Sequence, residues 1–292
     1  MTSAKFLNSV RYLDAFSAST METIVERIPY LINEYWTAAQ RQVHSLHEVS
    51  YQACFKPQLS EFFIERLTVS GDGVLDPFTG RGMAPVQAAL MGRRPMGNDI
   101  NPLSLPFTRP RMAPPSLADV ESSLAAVTWD RVDDVREDLL AFYHPTTLRR
   151  LCALREWLFR EAPLDEARPD SATDWLRIVA INRLTGHSPM FFSVYTLPPN
   201  QAASVADQLK INHKRGQRPP DRDIAAVILK KTQQLRRDGS PIAHPPAILG
   251  TGFSSSLSYI WIESAWEAMI RSTLKELARV VRPGGHVAFE VG

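Results

Sequence analysis

A chain of 292 residues is long enough for one large α/β domain with an insertion, and a core of that size needs no covalent staple. The two cysteines, Cys54 and Cys152, lie far apart among apolar residues, which favours buried thiols over a disulfide or a metal site. His44, His47 and His187 lack metal-ligand spacing. Neither a signal peptide nor an apolar run near the roughly 18 residues of a membrane span is present, so a cytoplasmic protein with no membrane partner is predicted.

The formal net charge of +2 conceals an uneven distribution. Residues 205–237 hold nine Lys or Arg against three acids, so this segment is +6 and the remainder is −4. Such a block indicates either a solvated surface or a face that binds a polyanion. The candidate phosphate-binding residues in it are Lys214, Arg215, Arg218, Lys230 and Lys231.

The N-terminal region has apolar residues at helical spacing. Residues 6–43 predict two helices divided near "ERIPY", which would pack as a cover against the rest of the chain. Pro57 then opens a predicted helix over residues 56–69.

The next stretch, residues 74–102, has the length of one β-α-β unit. Val74 and Leu75 predict a short buried strand, "DPFTGRG" a sharp turn, Ala84 to Met91 a helix, and "RRPMGND" a second strand. Gly80 and Gly82 permit positive φ and close approach of a ligand to the helix N-terminus. Asp99 follows Asp76 by 23 residues, about the spacing at which an acid meets a ribose hydroxyl.

Two cofactor classes compete for this loop. The dinucleotide fingerprint requires a third glycine where the chain has Pro85, and the carboxylate of Asp76 would repel a pyrophosphate. S-adenosylmethionine carries a sulfonium and an ammonium and no phosphate. The loop therefore favours S-adenosylmethionine.

The remaining elements follow in chain order. Five prolines in residues 102–115 predict a linker rather than a regular helix. Helices are predicted over 116–160, 171–185 and 264–281, and "HVAFEVG" is predicted to close the chain as an apolar strand.

At "DPFTGRG" the sequence closely resembles the N4-cytosine and N6-adenine DNA methyltransferases, whose cofactor loop reads D-P-F-x-G-x-G. The resemblance extends to "SYQACFKPQLSEFFIERL" upstream, where Cys54 replaces the usual lysine, and to "GNDINPLS" and "ELARVVRPGGHVAFEVG" downstream. The segments "LTGHSPMFFSVYTLPPNQAASV" and "INHKRGQRPPDRD" are typical of one branch of site-specific DNA methylases. The resemblance touches most of residues 45–292.

This resemblance implies an α/β fold with a Rossmann-like class I methyltransferase sheet, an N-terminal helical cover and an α-helical insertion. The implied organisation is a helical cover (1–44), a cofactor-binding half (45–115), a helical insertion for target recognition (116–236) and the remainder of the domain (237–292). Methyltransferases of this fold complete a seven-stranded sheet, whereas this sequence ends on the segment that resembles the fifth strand.

The resemblance also implies roles for residues, with S-adenosylmethionine as cofactor and double-stranded DNA as partner. Asp99 would bind the ribose hydroxyls, a role that its spacing predicts independently. The methionine part of the cofactor would be cradled by Asp76, Phe78, Gly80 and Gly82, and the adenine would be bordered by Asn101 and Pro102.

The family positions its target amine with a tetrapeptide, (S/D/N)-P-P-(Y/F), whose aromatic ring stacks on the flipped base. At the expected place the chain reads "HPPA", so His244 replaces the acceptor, Pro245 and Pro246 remain, and Ala247 replaces the ring. A neutral imidazole accepts one hydrogen bond, but alanine cannot stack. "TLPPN", residues 196–200, is a second candidate, with the amide of Asn200 as acceptor.

Three functions follow from these patterns. The first is methylation of an exocyclic amine in DNA, at N4 of cytosine rather than N6 of adenine, with a restriction endonuclease as a possible partner. The second is a catalytically inactive relative that binds DNA or cofactor, which "HPPA" favours. A nicotinamide-dependent oxidoreductase comes third, because Pro85 and Asp76 disfavour it.

Overall fold

The computed structural model describes residues 3–12, 19–33, 44–49, 55–130, 135–164, 171–197, 203–241, 248–251 and 263–288. Within these ranges the chain is mixed α/β. Its helices are α1 (Ser3–Arg11), α2 (Pro57–Leu67), α3 (Met83–Leu90), α4 (Ser104–Met112), α5 (Leu117–Ala125), α6 (Pro145–Glu161), α7 (Ser171–Arg183), α8 (Val205–Arg215), α9 (Ile224–Leu235) and α10 (Glu263–Val280). Its strands are β1 (Met21–Val25), β2 (Ile28–Ile32), β3 (Gly73–Asp76), β4 (Arg94–Asp99) and β5 (Ile248–Thr251).

The N-terminal region differs from the prediction of two helices. Only the start of the first helix is present, as α1, and β1 and β2 form an antiparallel hairpin across the point where the two helices were expected to divide. Residues 34–43 of the expected second helix lie outside the described ranges. Glu26 and Arg27 both take positive φ, 49° and 68°, which gives the two-residue turn that joins twisted strands. Since the same apolar residues also suit a strand, the turn decided the outcome.

Three parallel strands form the second sheet, in the order β3-β4-β5. The expected strand-helix-strand unit over residues 74–102 is confirmed as β3, α3 and β4. Strand β3 is less buried than expected, and Leu75 is 40% exposed, because β3 pairs only with β4 among the described residues.

The proline-rich stretch after Asp99 is a buried helix, α4, so the prediction of a linker was wrong. Pro106 is the third residue of the helix, in the first turn, where a backbone amide has no intrahelical acceptor to lose. Pro110 removes one interior hydrogen bond, and burial of this helix offsets that cost. Arg111, fully buried, donates from its Nε to the carbonyl oxygen of Phe107 at 2.7 Å and from Nη1 to that of Leu46 at 3.1 Å.

Residues 116–160 are mainly helical, as predicted. They form two helices, α5 and α6, with a 3₁₀ turn (Glu137–Ala141) between them rather than one continuous helix. Its core is centred on α7, where Trp175, Leu176 and Ile178 are fully buried. From α9, Ile228 and Leu235 contribute to the same core. Val86 of α3 and Phe107 of α4 belong to the same cluster, so the helical region shares one apolar core with the strand-helix-strand unit.

The C-terminal expectations are confirmed only in part. Helix α10 is present as predicted, but residues 285–288 are not a strand, and residues 289–292 lie outside the described ranges. Cys152 is a buried thiol on α6, as predicted, and Cys54 lies outside the described ranges. In the part of the chain that the structure describes, no helix is long and apolar enough to cross a membrane.

Candidate functional site

The candidate site lies at the carboxyl edge of β3 and β4. Parallel pairing sets Asp76 beside Gly97, so Asp99 lies two residues further along at the same edge. The Asp99 carboxylate accepts from the amide of Gly80 at 2.6 Å and from the amide of Asn101 at 2.8 Å. It therefore joins the loop after β3 to the loop after β4.

A second set of bonds holds the loop after β3. The Asp76 carboxylate accepts from the amide of Phe78 at 3.0 Å, and the Thr79 hydroxyl donates to the carbonyl of Asp76 at 2.9 Å. The Thr79 amide donates to the carbonyl of Asn98 at 3.0 Å. The loop is thus bonded to itself and to β4, which preorganises it for a ligand.

The two glycines of this loop are required for different reasons. Gly82 has φ of 83° and is the N-cap residue just before α3, and a Cβ there would lie 2.3 Å from Oγ1 of Thr108 on α4. Gly80 has φ of 50°, and the nearest atom to its Cβ position is the Phe78 carbonyl oxygen at 3.9 Å. Gly82 therefore permits helix packing, whereas Gly80 faces open space.

The carboxyl group of Asp76 has a raised pKa. This pKa is raised from 3.8 to about 6, mainly by loss of hydration and also by the nearby charge of Asp99, while the hydrogen bond from the Phe78 amide opposes the rise. A carboxylate whose charge is incompletely compensated favours a cationic ligand.

Each of the two loops of the candidate site exposes an apolar side chain. Phe78 is 43% exposed on the first loop, and Ile100 is 38% exposed on the second, next to Asn101 and the exposed Pro102. The Asn101 side chain accepts from the amide of Leu103 at 3.1 Å, which fixes the second loop. The structure therefore brings the seven predicted cofactor residues to one edge of the sheet.

Sequence patterns did not predict a buried hydrogen bond between His47 and Gln87, a residue of α3. The imidazole Nε2 of His47 lies 2.8 Å from the side-chain oxygen of Gln87, and both residues are buried. The pKa of His47 is lowered to about 3, mainly by burial and also by the charges of Arg111 and Arg81, while the bond to Gln87 opposes the shift. No sequence signal marks this pair, because 40 residues separate its members.

The expected catalytic residues His244, Pro245 and Pro246 lie outside the described residues. Of the second candidate, "TLPPN", Thr196 is buried and Leu197 is exposed, and residues 198–200 are likewise outside. Their arrangement around a base therefore stays a prediction.

The candidate phosphate-binding residues divide into two groups. Exposed side chains are found at Lys214, Arg215, Arg218 and Lys230. Lys231 differs from the expectation, because it is only 4% exposed and its Nζ lies 3.3 Å from a carboxylate oxygen of Glu48. A buried ammonium that is paired in this way cannot reach a phosphate, so Lys231 is corrected to a structural residue.

Comparison with known proteins gives a partial similarity. Over 64 residues the chain is 41% identical to the Type II methyltransferase M.MjaII of Methanocaldococcus jannaschii. The match covers 22% of this chain and 12% of that protein, so most of each chain lies outside it. No family model and no solved structure matches the chain. The similarity supports a relationship with methyltransferases and leaves the type of target base open.

Proposed function

We propose that the chain binds S-adenosylmethionine at the edge of β3 and β4 and methylates an exocyclic amino group of a base in double-stranded DNA. The carrying observation is that Asp76 and Asp99, from neighbouring parallel strands, converge on the loop of Gly80 and Gly82. In parallel sheets, ligands bind at the carboxyl ends of strands. The partial similarity to a type II methyltransferase supports the same proposal.

The residues present fit this cofactor. Each Asp99 oxygen accepts one backbone amide and keeps a second lone-pair direction, which suits the hydroxyls of a ribose. The carboxylate of Asp76 would pair with the cationic amino-acid part, and the open space at Gly80 lets a ligand approach the backbone. Phe78 would pack against the methionine part with apolar surface, and Asn101 and Pro102 would border the adenine.

S-adenosylmethionine, when bound, supplies an electrophilic methyl group. The amine of cytosine or adenine is a weak nucleophile because its lone pair is conjugated with the ring, so the base must be flipped out and the amine oriented by acceptors. We assign the orienting role to His244 with Pro245 and Pro246, and we favour N4 of cytosine over N6 of adenine. A Rossmann-like sheet built around β3, β4 and β5 and a restriction endonuclease as partner belong to the same proposal.

Calorimetric titration with S-adenosylmethionine tests the site. Asp99→Asn keeps the shape of the residue and removes its charge, and saturable binding to the wild type should weaken at least tenfold in this variant. Asp72→Asn is the matched control, since Asp72 precedes β3 and lies at the opposite end of the strand. Absence of binding to a folded wild type, or equal loss in both variants, would refute the proposal. Saturable binding of a nicotinamide dinucleotide instead would favour an oxidoreductase.

A second candidate function is a relative that binds without methylating, which Ala247 in place of the stacking ring favours. Transfer of radiolabelled methyl groups to double-stranded DNA separates the two. Incorporation that disappears in Asp99→Asn supports the enzyme, and cofactor binding without incorporation supports the inactive relative.

A further inference from the structure

The loop after α7 presents an exposed aromatic ring next to the basic end of α8. Tyr195 is 40% exposed, and the guanidinium carbon of Arg215 lies 3.8 Å from the centre of its ring. The exposed ring of His187 has its centre 6.5 Å from that of Tyr195. Three flat groups, two aromatic and one cationic, are thus adjacent at the surface.

Buried amide groups hold Tyr195 in place. Its carbonyl oxygen accepts from the side-chain nitrogen of Gln208 at 3.0 Å and from that of Gln217 at 2.9 Å. Both nitrogens also donate to the side-chain oxygen of Asn212 at 2.8 Å, and the side-chain nitrogen of Asn212 donates to the carbonyl oxygen of Ala141 at 2.7 Å. This network fixes the backbone at Tyr195 and leaves its ring exposed, which is the arrangement of a preorganised contact residue.

The inner side of the loop is packed by a separate pair. The Phe191 ring is buried with the guanidinium carbon of Arg183 at 4.1 Å from its centre, and a Cβ on Gly186 would lie 2.5 Å from that ring. The amide of Thr196 donates to the carbonyl of Gly186 at 3.1 Å. Since these contacts account for the folding of the loop, burial does not explain the outer pair of Tyr195 and Arg215.

Positive charge surrounds the outer pair. Lys214, Arg215 and Arg218 are exposed, and none of them forms an ion pair with an acid among the residues described in the structure. Lys210, one turn earlier on α8, lies 3.2 Å from Asp207 instead. Basic residues near the end of a helix are favoured by its dipole, but the dipole does not account for an aromatic ring stacked against one of them.

We infer that Tyr195, Arg215 and His187 form a stacking surface for an unpaired base of a DNA strand, with Lys214 and Arg218 contacting the phosphates beside it. Aromatic rings and guanidinium planes stack on bases of any sequence, and basic side chains beside them neutralise the backbone. The choice of DNA over RNA rests on the proposed function. An enzyme that extrudes a base leaves its partner base unpaired, and this surface would hold such a base.

Fluorescence anisotropy with three labelled DNAs tests the inference: a paired duplex, the same duplex with one extrahelical base, and a single strand. Tyr195→Ala and Arg215→Lys should lower affinity for the extrahelical base and the single strand by about tenfold, and affinity for the paired duplex by less than threefold. Tyr195→Phe should retain binding, because it keeps the ring. Lys214→Ala and Arg218→Ala should weaken all three DNAs alike and reduce the salt slope by about one each.

Lys210→Ala is the matched control on the same helix and should leave all three affinities within twofold. Thermal melting checks that each variant is folded. If Tyr195→Ala leaves the preference for the extrahelical base intact in a folded protein, the inference is wrong. It is equally wrong if polyglutamate displaces the labelled DNAs as effectively as an unlabelled single strand, since the surface would then bind acidic peptides.

The same variants separate this inference from the proposed function. Tyr195→Ala should bind S-adenosylmethionine like the wild type, because Tyr195 contributes nothing to the loops at β3 and β4. A wild type that binds no cofactor yet shows the Tyr195-dependent preference would overturn the proposed function alone. Cofactor binding without that preference would overturn this inference alone.

Discussion

The carboxylate of Asp99 accepts a hydrogen bond of 2.6 Å from the amide of Gly80, 19 residues earlier in the chain. This bond links the loop after β3 to the end of β4, so in the proposed function one residue both shapes the loop and offers acceptors to the cofactor. A variant at Asp99 would therefore lose binding both because the loop changes shape and because the acceptors for the ligand are lost. Substitutions at the glycines separate these two effects.

Gly82→Ala should mainly lower stability, whereas Gly80→Ala should mainly weaken ligand binding. Alanine at 82 combines positive φ with a clash against Thr108, and we expect it to cost more than about 2 kcal/mol of unfolding free energy. Alanine at 80 meets open space and should cost about 1 kcal/mol, yet it should weaken S-adenosylmethionine binding because its methyl group occupies the approach to the loop. Urea denaturation and calorimetry measure the two quantities. Equal destabilisation by both variants would contradict the packing difference.

Asp76→Asn should stabilise the protein at neutral pH. The pKa of Asp76 is raised to about 6, so the folded state holds this proton more tightly than the unfolded chain does. The resulting stability is present below pH 4 and is lost as pH rises through 6. We expect the variant to gain about 1 to 3 kcal/mol at pH 7.5 and nothing near pH 4, measured by urea denaturation at both pH values. A gain that is independent of pH would contradict this explanation.

His47→Gln should flatten the acid side of the stability profile. The pKa of His47 is lowered to about 3 in the folded protein, so between pH 6.5 and 3 the unfolded chain binds the proton more tightly. The stability that the neutral imidazole contributes is present above pH 6.5 and is lost progressively as pH falls towards 3. The slope of unfolding free energy between pH 4.5 and 6 should decrease by about 1.4 kcal/mol per pH unit in the variant.

Lys231→Met should leave DNA affinity within about twofold of the wild type, because the ammonium is buried against Glu48. Burial lowers the pKa of Lys231, so a methionine of similar length removes a poorly hydrated charge. Arg218 is exposed, so Arg218→Ala should weaken DNA binding severalfold in the same anisotropy titration. An equal loss of DNA affinity in both variants would show that Lys231 contacts DNA after all.

Secondary structure could be predicted from the sequence wherever residues close together in the chain determine it. The strand, turn and helix of residues 74–99 follow from two glycines, a short apolar run and an acid at each strand end, and these residues lie together as predicted. Helices α2 and α10 also follow from their proline and apolar spacing. Each of these signals lies within one or two turns of the residues that it governs.

Elsewhere local signals misled for two reasons: burial outweighed propensity in α4, and the backbone of a tight turn gave a hairpin at β1 and β2. The prolines at 106 and 110 predict a break, yet α4 forms because packing stabilises it by more than one missing hydrogen bond costs. The apolar spacing around Ile24 and Ile28 predicts a helix, yet positive φ at the intervening turn folds it into a hairpin.

The sequence by itself determined which chemical groups the candidate site contains: acids at two strand ends, glycines between them and a basic block further on. Tertiary structure alone decided which of those groups act together. It bonded Asp99 to Gly80, buried Lys231 against Glu48 and stacked Arg215 on Tyr195. These contacts join residues separated by 19 or more positions, and their existence depends on the packing of whole elements, which no local pattern of residues encodes.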